Sequence, residues 1–153
     1  MSNNEKKNIP ALAKQFMMEM KGNCAQAVFV TFVKEMELGN IDYETSMRIA
    51  STFGGGIAQS GNVCGACTGA LMALGLKFGK LTMADQMKVT QLGSEFLHEF
   101  EIINDTTLCS KLIDHDSIGD MDIKAAFESG AFDKCVKYVE DASKILEKLL
   151  TRE

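Results

Sequence analysis

Five cysteines hold the reactive chemistry available to this chain of 153 residues: Cys24, Cys64, Cys67, Cys109 and Cys135. Four follow closely on a residue able to cap a helix: Asn23 before Cys24, Asn62 before Cys64, Thr107 before Cys109 and Asp133 before Cys135. Each is thus expected in the first turn of a helix. There the unpaired backbone N–H groups and the positive end of the helix dipole favour thiolate over thiol. Thiolate is the form that attacks disulfides and binds metals. Cys64 and Cys67 also sit three apart at a helix start, so both sulfurs can share one face, as in thioredoxin-like dithiols and many metal sites. Against this stands the plain packing role of cysteine, which is often fully buried as a small hydrophobe.

The other residues with chemical capacity are weaker candidates. His115 lies between Asp114 and Asp116, as expected of a solvated turn. His98, among Phe96, Leu97 and Phe100, reads as a partly buried helix residue. Glu95, Glu99 and Glu101 lack the repeated Glu-x-x-His pairing that a di-iron bundle requires. Gly54-Gly55-Gly56 and Gly61 form a glycine-rich loop ahead of Cys64, but no Gly-Lys-Ser or Gly-Lys-Thr follows it and no strand is predicted before it. It is not a phosphate cradle.

The elements that must position the cysteines are helical throughout. Cys135, Val139, Ala142, Leu146 and Leu149 recur at steps of four and three opposite Lys137, Glu140, Asp141, Lys144, Glu147 and Lys148. Cys24, Val28, Phe32 and Met36 repeat at steps of four between Asn23 and Leu38. Val89, Leu92, Phe96, Phe100 and Ile103 mark a long helix over roughly 83–103, introduced by Thr82 and Asp85 in the manner of a capping box. Asp42 caps a helix of about three turns through Tyr43, Met47 and Ala50. From Cys64 to Phe78 nearly every residue is apolar or small, which predicts a central helix buried on all sides, with Gly65, Gly69 and Gly75 admitting close neighbours. Shorter helices are expected over 108–113 and 123–128, and a partly helical segment over 9–20 packs by Leu12, Phe16 and Met20. The fold class is therefore all-α: a compact single-domain bundle over residues 1–153, of about five to seven helices.

Composition narrows the function. With 46% hydrophobic residues the chain can bury one core. A net charge of -5, with 16 scattered basic residues against 21 acidic ones, argues against a nucleic-acid partner. Residues Met1 to Lys7 precede no signal-like apolar stretch, and no apolar run reaches the length of a membrane span. A cytoplasmic location is expected. In a reducing compartment five thiols point to metal binding, transient redox chemistry or burial rather than permanent disulfides. The apolar helices are compatible with self-association.

Cys64-Gly65-Ala66-Cys67-Thr68-Gly69, together with Cys24 in Asn23-Cys24-Ala25-Gln26, Cys109 in Cys109-Ser110-Lys111-Leu112 and Cys135 in Lys134-Cys135-Val136, resembles the C_GCAxxG_C_C family from about Gly22 to Leu150. The resemblance implies a helical fold, a redox or metal-linked role, and a redox or transport-associated protein partner, with no defined substrate. Thr68 follows Cys67, so the Cys-x-x-Cys-His of covalent haem is missing. Cys67 fills a position that varies in the family.

Two kinds of chemistry compete on these residues. In one, Cys24, Cys64, Cys109 and Cys135 converge at helix N-termini and bind zinc or an iron–sulfur cluster through thiolates, or form a dithiol/disulfide site. In the other, a thiol–disulfide oxidoreductase attacks with Cys64 and resolves with Cys67. A structural or partner-binding domain with inert thiols is the third reading.

Overall fold

The computed structural model describes residues 5–114 and 122–152, which places His115 outside the described part. Eight α-helices occur among these residues, rather than five to seven: α1 Ile9–Met18, α2 Cys24–Met36, α3 Tyr43–Ile49, α4 Gly65–Phe78, α5 Met87–Asn104, α6 Cys109–Leu112, α7 Ile123–Glu128 and α8 Asp133–Leu150. The excess comes from short pieces, of which α6 has four residues and α7 six. Short 3-10 turns at Leu38–Asn40 and Ala84–Gln86 complete the all-α architecture.

The centre of the bundle is shared between two helices. From Ala27 to Val33 every residue of α2 is buried, so α2 is enclosed on nearly all sides and not only along its Val28 and Phe32 stripe. The expectation of complete enclosure for α4 holds only for its first half, where Cys67, Ala70, Ala73 and Leu74 are buried. Its second half emerges, with Gly75 and Lys77 exposed. The α8 stripe is buried as its periodicity requires, with Val139, Ala142, Leu146 and Leu149 at 0% exposure.

Three stripes differ at their ends. α1 packs by Ile9, Ala13 and Phe16, whereas Met20 lies past the helix with φ 55 and is 68% exposed. On α5, Phe96 and Phe100 are fully buried but Ile103 is 52% exposed and His98 is also exposed. α3 spans seven residues rather than three turns, and its Tyr43 is exposed although Asp42 caps it through Thr45 N at 2.6 Å. Thr82 and Asp85 do pair ahead of α5, with the Thr82 hydroxyl donating to Asp85 Oδ2 at 2.6 Å. Glu95 and Glu99 hold Arg152 and Lys148 across α5 and α8. No helix among the described residues is long and apolar enough to cross a membrane.

α2 and α4 meet through glycine. A Cβ on Gly69 would stand 2.6 Å from Ala25 O, and one on Gly65 would overlap Cys24 Sγ. Gly75, by contrast, faces open space and admits no neighbour. Gly69→Ala is therefore expected to destabilise the fold by about 1–3 kcal/mol through overpacking. Gly75→Ala should stabilise it by about 1 kcal/mol through helix propensity alone. Urea unfolding of the two variants checks the opposite signs.

Candidate functional site

The cysteines stand at helix starts, but only one of the four expected caps is made by the predicted side chain. Asn23 Oδ1 accepts from Gln26 N at 2.9 Å and Gln26 Oε1 accepts from Asn23 N at 2.9 Å, a full capping box with Cys24 at the first helical position. Both side chains also reach α3: Asn23 Nδ2 donates to Ser51 O at 3.1 Å and Gln26 Nε2 to Met47 O at 2.9 Å. At α4 the capping position is Cys64 itself, while the Asn62 amide turns away to Ser60 Oγ at 2.8 Å. Leu108 precedes α6, so Thr107 contributes no side-chain cap and Cys109 opens the helix. Asp133 lies inside α8, which starts after Phe132 and carries Cys135 as its third residue.

What joins the starts of α4 and α6 is backbone. Val63 and Leu108 form an isolated antiparallel bridge. Cys64 N donates to Thr107 O at 2.7 Å, and Cys109 N donates to Asn62 O at 2.7 Å. Two cysteines distant in sequence are thereby held on adjacent chain segments. Tyr138 supports the same region from α8, its buried hydroxyl donating to Leu112 O at 2.8 Å and its ring meeting Phe100 edge-on at 6.3 Å. Neither the bridge nor Tyr138 was anticipated; the bridge lacks the alternation that marks a strand, and Tyr138 reads as one more apolar position on α8.

The sulfurs gather as pairs. Cys24 and Cys64 adjoin where Gly65 leaves room for Cys24 Sγ, close enough for each to shift the other's pKa. Cys64 also touches Cys67, which is wholly buried one turn deeper. Cys109 packs with Ile113 against Cys135 and Phe132. Cys24 and Cys135 line one cavity of about 540 Å³ together with Met17, Met20, Ala58, Gln59 and Phe132.

One wall of that cavity is the glycine-rich loop, and its conformation is unusual. Gly55, Gly56, Ile57, Ala58 and Gln59 all have positive φ, from 50 to 71. They make a left-handed turn that runs past the glycines into three residues with side chains, one of them β-branched. Long-reach backbone bonds hold it, among them Ala58 N to Thr52 O at 2.7 Å, Gly61 N to Gly55 O at 3.0 Å and Asn62 N to Gly56 O at 2.9 Å. Gln59 folds back over Gly55, and its Oε1 is buried with no hydrogen-bond partner among the described residues.

The electrostatics correct the expectation of stabilised thiolates. The Cys24 pKa lies well above its usual value because its S–H is engaged by Cys64, because it is buried and because charge on Cys64 opposes its own. The first-turn amides of Cys24 and Ala25 pull the other way and lose. At Cys64 the contact from Cys24 lowers the pKa, but the contact of its own S–H with Cys67, burial and charge on Cys67 together outweigh it, and the net direction is up. Burial and the charge of Cys24 push Cys109 up to about 12. Burial, then Cys24, Cys109 and Asp133, raise Cys135. Helix starts supply the amides, but a dry site holding several sulfurs keeps its protons.

These thiols do not compose a metal-ligating cage as arranged. Among the described residues no group of three or more His, Cys, Asp or Glu side chains could hold a metal ion. Contacting thiols are the chemistry the geometry offers.

Residues 22–149 match the family described as "Putative redox-active protein (C_GCAxxG_C_C)". No curated protein and no solved structure matches the chain.

Two pH dependences follow. Alkylation of Cys24 by iodoacetamide, read by mass spectrometry, should rise about tenfold per pH unit without a plateau through the ordinary thiol value of 9.0. Stability should be steady below 9.0 and fall as pH rises from there toward about 12, because the unfolded chain releases the Cys109 proton first. Cys109→Ser should flatten that fall in denaturant titrations taken across the same range.

Proposed function

The chain belongs to the C_GCAxxG_C_C family, and from that premise we propose that it is a thiol–disulfide redox protein whose working pair is Cys24 and Cys64. One observation carries the reading: the two sulfurs adjoin, and Cys24 alone of the two opens onto the cavity. Cys24 is thus the thiol that meets a substrate disulfide, and Cys64 is the one that resolves.

The steps balance on these sulfurs. Loss of one proton from the pair leaves one charge and one proton between Cys24 and Cys64. Passing that proton to Cys64 leaves a thiolate at the cavity, which attacks one sulfur of the substrate. The Cys24–sulfur bond forms, the substrate S–S bond breaks, and the leaving thiolate takes the electron pair and then a proton. Cys64, once deprotonated, attacks Cys24 Sγ, closes the Cys24–Cys64 disulfide and releases the second substrate thiol. Two protein thiols are oxidised and one substrate disulfide is reduced by two electrons.

Contact between Cys64 and Cys67 favours a second assignment, in which those two close instead. It is the poorer one, because Cys67 has no exposed surface and Cys64 only 5%. Oxidising the reduced protein with one equivalent of a disulfide reagent and mapping the product by mass spectrometry separates them. The expected product is a single Cys24–Cys64 bridge. Cys24→Ser should slow the first thiol exchange by roughly 100-fold, Cys64→Ser should halt it at a mixed disulfide on Cys24, and Cys67→Ser should leave both steps intact. A Cys64–Cys67 bridge formed at wild-type rate in Cys24→Ser overturns the assignment.

A further inference from the structure

Given the Cys24–Cys64 pair as the working centre, its substrate must pass through the cavity that Cys24 faces. That cavity, about 540 Å³, is of small-molecule size. Among the described residues none of those lining it carries a charge. Its apolar surface comes from Met17, Met20, Ala58 and Phe132, and Met20 extends that surface outward at 68% exposure.

The polar groups present do not suit an ion. Asn23, Ser51, Thr52 and Gln59 supply only neutral polar side chains. The start of α2 would ordinarily attract an anion. Here Gln26 N is already taken by Asn23 Oδ1. Among the described residues lining the space there is no basic side chain to hold a carboxylate and no acidic one to hold an ammonium.

We propose that this cavity binds a small, uncharged, largely apolar disulfide, and that the absence of charge on its walls sets the substrate preference of the Cys24–Cys64 pair. The exchange itself is the one already written, with the substrate disulfide as oxidant and the two cysteines as reductant.

The test compares three disulfides on the full-length reduced protein: hydroxyethyl disulfide, which is neutral, glutathione disulfide, which is anionic, and cystamine, which is cationic. Each rate of Cys24 mixed-disulfide formation is divided by the rate of the same reagent with a free thiol, which removes intrinsic reactivity. The neutral reagent should lead each charged one by at least about tenfold. Thr52→Lys places a cation on the exposed rim of the cavity, away from the working cysteines. It should raise the normalised glutathione disulfide rate several-fold relative to that of hydroxyethyl disulfide in the same variant. Ser51→Lys should act in the same direction. Equal normalised rates for all three reagents, or an order unmoved by both lysines, would overturn the substrate class while leaving the redox assignment standing. Failure of every reagent to yield a Cys24–Cys64 disulfide would remove the redox assignment and this inference with it.

Discussion

The close approach of α2 and α4 is the constraint on which the rest of the molecule depends. Gly69 sets its α-carbon against the Ala25 carbonyl, and Gly65 leaves the gap that Cys24 Sγ fills. Glycine weakens a helix by about 1 kcal/mol relative to alanine, so two in the first turns of α4 are costly unless contact repays them. The repayment is positional as well as energetic. With side chains at those positions the helices would stand further apart, and Cys24 would lose its contact with Cys64. The enclosure of α2 from Ala27 to Val33 then follows, because α4 covers one side while α1, α3 and α8 cover the others.

A second lesson concerns the competition between helix ends and burial. The amides at the start of α2 do act on Cys24, yet they are outweighed by a neighbouring thiol and by loss of water. A helix terminus shifts a group by typically 0.3–1 kcal/mol at an exposed site, whereas burying a charge can move a pKa by several units. The same first-turn position that would activate a lone cysteine at a wet surface therefore gives a protonated resting state in a crowded, dry one. On the thiol–disulfide function proposed above, such a pair stores reducing equivalents without exposing a reactive thiolate continuously, and ionisation is the step that meters its use.

Much of this was legible in the chain. The all-α class, the α8 stripe and the placement of cysteines at helix starts followed from periodicity and from the order of Cys24, Cys64, Cys109 and Cys135. Asn23 could be read as the cap ahead of Cys24, whereas the reciprocal bond from Gln26 was seen only in the folded chain. Other features could not be read. Asn62, Thr107 and Asp133 are all competent caps, but which amide a side chain reaches depends on where the helix begins, and that moved by one or two residues at each site. The link between Cys64 and Cys109 is made by Val63 and Leu108 through main-chain groups common to every residue. Thiol ionisation depends on neighbours brought together from four helices, and local sequence has no view of them.

The turn from Gly55 to Gln59 bears one more consequence. Holding an L-residue in the left-handed region costs roughly 1–2 kcal/mol each, and Ile57, Ala58 and Gln59 all sit there. Over these few positions the backbone has the handedness natural to the mirror-image amino acids. A D-enantiomer at Ala58, introduced by chemical synthesis, would relax into the existing conformation, whereas the same exchange at Ala70 in the middle of α4 would break the helix. Stereochemical preference is thus inverted along a single stretch of chain, at the wall that borders Cys24.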